Sequence, residues 1–177
     1  MATNFVSELE RLANAVESDT AAAEEVSLPV IGERIAKSLG VKADEVAILG
    51  LSQKWKHLHF LVPAALKNVG YIPMSSNSAL AARTVRELRA EVINNFASVR
   101  HARVFEGVRG MEVSGQSIQK IISAPILCDG KAVGVMQVSR KGPSVTETGP
   151  DFTLEDVNRV QAICRPLGKL VRSLSGE

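Results

Sequence analysis

The amino-acid sequence predicts an α+β domain, an antiparallel sheet that carries its first and last helices on one face. Three observations point there. In APILCDGKAVGVMQVSRKG, residues 124–142, Asp129-Gly130 stands between two apolar runs. That is the strongest short signal for a two-residue hairpin, because both central positions of the turn need positive φ. Two shorter β-prone runs, EVAILGL (45–51) and HLHFLV (57–62), flank a loop that fits a second hairpin. Both ends of the chain place apolar residues at helical spacing.

Taken in order, Phe5, Leu9, Leu12 and Val16 form one stripe of an amphipathic helix over residues 3–18. A lone helix of this length is marginal in water, so the stripe needs a partner. The segment SDTAAAEEVS (18–27) reads as a linker. We therefore divide the chain into a helix and linker over 1–24 and a domain over 25–177. A second helix starts near Pro29 and ends at Gly40, with Ile31, Ile35 and Leu39 buried. The strand pair 45–51 and 57–62 follows, then a short strand in NVGYIPM (68–74) ended by Pro73. The cluster Ser75-Ser76-Asn77-Ser78 can cap a helix that turns Leu80, Val85, Leu88, Val92 and Phe96 inward and Arg83, Arg86, Glu87 and Arg89 outward. Residues 100–118 hold three glycines and no clean period, and read as loop with at most a short helix or strand.

A two-residue turn at Asp129-Gly130 pairs Cys128 with Lys131, Leu127 with Ala132 and Ile126 with Val133. Continued unbroken, that register sets Ser123 opposite Met136 and Ile121 opposite Val138. Apolar residues on both faces put this ribbon in the middle of a sheet covered on each side. Pro125 cannot donate to a ladder and should mark a bulge or break. After the polar SVTETGP, Thr153 through Asp156 fit a capping box. Val157, Val160, Cys164, Leu167, Val171 and Leu174 then form a seam spaced by threes and fours. Pro166 within it should kink the helix at about 3 kcal/mol, which implies a partner surface. The stripe Phe5, Leu9, Leu12, Val16 and the seam residues Val160, Leu167, Val171 are the candidate helix-bundle contacts, within one chain or between two copies, and a homodimer is expected.

A chain of 177 residues can bury one real core, and its 45% apolar and 23% charged shares are those of an ordinary globular protein. A net charge of +2 supplies no broad field for nucleic acid, so no nucleic-acid partner is expected. No apolar run approaches the roughly 20 residues that span a bilayer. MATNFVSELERL lacks a secretory pattern, so no membrane partner and a cytoplasmic location are expected. Cys128 and Cys164 lie too far apart for a CxxC motif and read as free thiols.

Ala124-Pro125-Ile126, Asp129-Gly130-Lys131, Val133-Gly134-Val135-Met136-Gln137-Val138 and Phe152-Thr153-Leu154-Glu155-Asp156, in that order, resemble a GAF domain, the small-molecule sensor module of phosphodiesterases, phytochromes and bacterial regulators. The resemblance is closest over residues 119–172 and compatible from 28 to 118. It implies a central antiparallel sheet of five or six strands, terminal helices on one face, and helices and loops over a pocket on the other. On that basis the pocket draws on Ser75, Ser76, Asn77, Arg83, Arg100 and His101, with Ile122 and Met136 as floor. Each has a plainer reading: helix cap for the serines, solvated charge for Arg83, a structural role for His101.

Cyclic-nucleotide members carry Asn-Lys, then Phe, then Asp-Glu, where this chain has Ser139-Arg140, Phe152 and Asp156-Val157. A clamp from the basic residue to the acid remains open, while the capping box accounts for Asp156 by itself. These departures disfavour a cyclic nucleotide without removing it. Neither bilin nor haem is expected, and bilin attachment would want a cysteine in the middle segment, which has none. Free methionine sulfoxide reductases are the enzymatic rival, but Cys128 and Cys164 both lie outside that segment, so no catalytic residue is assigned. His57 and His59 share a strand face without a third ligand in view, so no metal site is assigned either. Trp55, between Lys54 and Lys56, could stack on a base or pack on its own hairpin. The expected function is sensing of a small polar or anionic ligand by a non-catalytic domain, with any signalling partner a separate protein. The alternative is an interaction or dimerisation module without a ligand.

Overall fold

The computed structural model describes residues 2–18, 27–68, 70–96 and 117–174. Helix α1 (Ala2–Ser18) is followed by α2 (Leu28–Leu39). Ser27 accepts from the Val30 N–H at the start of α2, and Gly40 closes it with φ 71°. Strands β1 (Val46–Ser52), β2 (His57–Val62) and β3 (Tyr71–Pro73) lead to the short helix α3 (Leu80–Glu87) and strand β4 (Glu91–Ile93). Then come β5 (Ser117–Cys128), β6 (Lys131–Gly142) and α4 (Leu154–Leu174). The linker expected at 18–27 and the loop expected at 100–118 fall almost wholly outside the described residues.

All pairings are antiparallel, in the order β3-β2-β1-β6-β5-β4. The fold is therefore the expected α+β sheet, with six strands. Pro73 sits on the edge strand, where a missing donor is tolerated. One core lies between the sheet and α1, α2 and α4, and contains Leu9, Ile35, Ile48, Ile122, Met136, Val138, Val160 and Leu167. The second lies on the other face under α3, and contains Leu49, Phe60, Leu80, Phe96, Ile121 and Val135. Strands covered on both sides explain the unbroken apolar runs.

The β5–β6 register departs from expectation beyond the first two pairs. Cys128 faces Lys131 and Leu127 faces Ala132, but Ile126 faces Gly134, Ser123 faces Gln137, Ile122 faces Val138 and Ile121 faces Ser139. Val133 is the extra residue of a bulge, and the pairs from Ile126–Gly134 to Lys120–Arg140 are displaced by one before a second irregularity at Gln119 restores the expected register at Ile118–Lys141. The bulge lies opposite Ile126/Leu127, close to Pro125 rather than at it.

A second correction concerns the middle helix. It stops at Glu87 instead of running to Phe96, because Leu88 turns left-handed with φ 53° and bonds its N–H to Thr84 O. Leu80, Val85 and Phe96 are buried as expected, whereas Leu88 and Val92 are exposed. The closing helix starts on the expected box. Asp156 N–H donates to Thr153 Oγ1 at 3.2 Å and Thr153 N–H to Asp156 Oδ2 at 2.8 Å. Helix α4 runs through Pro166 and comes so close to the sheet that Gly168 lies against the Leu127 carbonyl.

Candidate ligand site

The stripe assigned to helix contacts is consumed within the chain. Phe5, Leu9 and Val16 on α1 and Val160, Leu167 and Val171 on α4 are all buried in one core, and Leu12 packs at its margin. They close α1 and α4 against each other and the sheet, so a second copy would meet other residues. Ile122 and Met136, expected to floor the pocket, also belong to this helical-side core. The sheet therefore separates them from α3.

The residues before α3 hold the backbone together. Ser76 Oγ accepts from Ala79 N–H at 3.1 Å, and Arg86 donates to Met74 O and Ser76 O at 2.8 and 2.9 Å. Ser75 and Asn77 are exposed on the same turn. Arg83 makes a two-pronged bond to the Glu91 carboxylate at 2.9 and 2.8 Å, joining α3 to β4. Arg100 and His101 lie outside the described residues.

Beneath α3 the bulged register builds something the sequence reading missed. Glu91 faces Ser123 and Ser123 faces Gln137, so one polar row crosses three strands and ends against Ala47 on the fourth. Thr84 of α3 meets it from above: its Oγ1 lies 2.7 Å from Ser123 Oγ, and Gln137 Nε2 donates to Ser123 Oγ at 3.1 Å. All three side chains are buried, among Ile121, Val135, Leu80 and Phe96. Among the described residues Gln137 Oε1 has no hydrogen-bond partner. An unmet buried acceptor is uncommon and unfavourable, which marks this row as the polar centre of an apolar face.

The signal available in sequence was a Ser and a Gln inside the otherwise apolar stretches 121–126 and 132–138. The unbroken register hid it, because it put Met136 where Gln137 stands.

The clamp considered for the loop before α4 exists in a different form. The Arg140 guanidinium lies over the Phe152 ring at 4.6 Å. Asn94 bonds both backbone polar groups of Phe152, at 2.9 and 3.1 Å. Buried Lys120 reaches Asp151 at 2.8 Å and Gly149 O at 2.7 Å. Asp156 serves the helix cap.

Both cysteines are free and buried. Burial pushes the Cys164 thiol up to about 12, which keeps it protonated and unreactive at neutral pH. Cys128 lines a cleft of about 620 Å³ beyond the hairpin turn, with Gln53, Lys131 and Arg172. Tyr71 stacks on His57 at 4.4 Å, and His57 meets His59 edge-on at 6.1 Å. Among the described residues no cluster of three metal-ligating side chains occurs, and no helix is long and apolar enough to cross a membrane. Trp55 is exposed, with the Lys54 ammonium 4.9 Å from its ring centre.

Comparison with known proteins adds to this geometry. The family model for the GAF domain matches residues 24–170. No curated protein sequence matches. Among solved structures, the GAF domain of a phosphoenolpyruvate-protein phosphotransferase from Acinetobacter is 15% identical, with a TM-score of 0.63 over 97% of this chain and 95% of that one. Residues 122 to 287 of a methyl-accepting chemotaxis protein are 14% identical, with a TM-score of 0.65 over 92% and 96%. A free methionine-R-sulfoxide reductase from Neisseria meningitidis, solved with its substrate, is 14% identical with a TM-score of 0.61 over 97% and 90%. At such identities these three share the fold with this chain.

Proposed function

The chain belongs to the GAF domain family, and from that premise we propose that it is a non-catalytic sensory or regulatory domain that binds a small polar ligand on the α3 face of its sheet. The observation that carries this reading is the buried row Ser123–Gln137 with Thr84 above it and an acceptor left unmet at Gln137 Oε1. A face built only for packing would place apolar side chains there. The thiol-enzyme reading is weaker, because Cys164 belongs to the core on the other face and is held protonated, and Cys128 lines the cleft beyond the hairpin turn.

Native mass spectrometry of the protein purified gently from cells tests the reading. A retained small molecule, released on unfolding, is the expected result. A bare polypeptide mass, together with no rise in Tm on adding filtered cell extract, would overturn it and leave an interaction module without a ligand.

We further propose that the protein self-associates through the outward faces of its terminal helices, since their inward faces are filled. Arg159 and Arg165 project there from α4, beside Glu10 of α1. Sedimentation of the Arg159→Glu/Arg165→Glu variant should show a monomer where the parent chain is a dimer. A parent chain that sediments as a monomer would end this part of the proposal.

A further inference from the structure

The direction of hydrogen donation along the buried row says what a ligand there has to offer. A hydroxyl has one hydrogen to give. Thr84 gives its hydrogen to Leu80 O at 2.9 Å, so at the 2.7 Å contact with Ser123 it is the acceptor and Ser123 the donor. With its own hydrogen spent, Ser123 Oγ can only accept from Gln137, at 3.1 Å. That forces the Gln137 carboxamide to turn its nitrogen toward Ser123. The two ends of a carboxamide are nearly alike in shape, and here the donor chain from Gln137 to Leu80 decides between them. The end that remains is Oε1, in a residue 2% exposed, with no donor among the described residues to meet it. Beside Gln137 in the row stands Ala47, whose methyl group has no polar atom to offer. Arg83, which reaches the row at Glu91, holds that carboxylate with two bonds.

Resting on the ligand reading above, we propose that the ligand donates an N–H or O–H to Gln137 Oε1, so that the site takes an amide-, amine- or hydroxyl-bearing molecule and rejects an acceptor-only group such as a carboxylate. A carboxylate would set its lone pairs against Oε1 with no free positive charge on the row to offset them. This narrows the polar-or-anionic expectation drawn from sequence to the donor-bearing side.

The test uses the full chain labelled with ¹⁵N, with the Gln137 side-chain NH₂ resonance assigned by its disappearance in Gln137→Met. The probes are acetamide, propionamide and benzamide, set against acetate, propionate and benzoate as acceptor-only counterparts of the same shape. At least one amide should move the resonance saturably while its carboxylate does not. The same amide should bind about tenfold more weakly to Gln137→Met, the loss of one good hydrogen bond. Ser123→Ala supplies a second variant where Gln137→Met fails to fold: it unties the carboxamide, which can then turn Nε2 outward, and the preference for amide over carboxylate should shrink. Carboxylates that move the resonance as well as amides do, or a resonance that no amide moves, would overturn the proposal. Backbone shifts under α3 with Gln137 unmoved would overturn the donor assignment while leaving the ligand reading standing.

Discussion

Gly168 shows how much a single atom decides here. A Cβ at this position would sit 1.9 Å from Leu127 O, on strand backbone that cannot turn aside. Replacing glycine by alanine inside a helix ordinarily gains about 1 kcal/mol. At Gly168 the collision outweighs that gain, and Gly168→Ala should destabilise the protein by about 1–3 kcal/mol in urea denaturation. Cys164, four residues earlier on the same helix, answers to pH. Its thiol is raised from 9.0 to about 12 by burial, so the unfolded chain loses this proton first. The contribution to stability is whole below pH 9 and is lost as pH rises toward 12. The urea midpoint should therefore fall between pH 9 and 11, and fall less in Cys164→Ala. At pH 8 iodoacetamide should label Cys164 only after unfolding. Its burial was legible from its place on the α4 seam, whereas the roles of Thr84 and Gln137 were not, since each depends on a neighbour distant in sequence.

Elements with strong local signals were legible and those decided by tertiary pairing were not. The Asp129-Gly130 turn, the Gly40 cap and the Thr153–Asp156 box each rest on a few adjacent residues, and each forms as expected. The bulge at Val133 answers to packing on both faces of β6. No local rule announces it, yet it decides which side chains share a row. The middle helix fails for a similar reason. Leu88 and Val92 keep helical spacing with Leu80 and Val85, but β4 gains pairing with β5, and Arg83 holds Glu91 in place. Leu88 pays for the turn with positive φ while remaining 50% exposed. Leu88→Gly should relieve that conformation at little loss of burial and raise stability by about 0.5–1 kcal/mol in thermal or urea unfolding. A decrease would mean that the exposed part of Leu88 packs more than its accessibility suggests.

At the scale of the whole molecule the sheet separates two jobs: one face holds the terminal helices, the other holds the polar row. The family match begins at residue 24, yet the helical-side core begins with Phe5. Leu9 is 1% exposed, and Ala13 and Val16 are buried beside it against α4. Lys169 adds a bond to Glu17 at 2.7 Å across the two helices. Burying a large apolar side chain stabilises by about 1.5–3 kcal/mol, so Phe5, Leu9 and Val16 together supply several kcal/mol before the ordering of α1 is charged against them. That is a large share of the roughly 5–15 kcal/mol by which a domain is stable. Removing α1 also uncovers the face of α4 that it packs against. A chain starting at residue 24 should therefore bind the dye ANS and lose its cooperative urea transition, although it retains everything the family model spans. A sharp transition at the parent midpoint would show instead that α1 is an appendage, and that the helical face is closed by α2 and α4 alone.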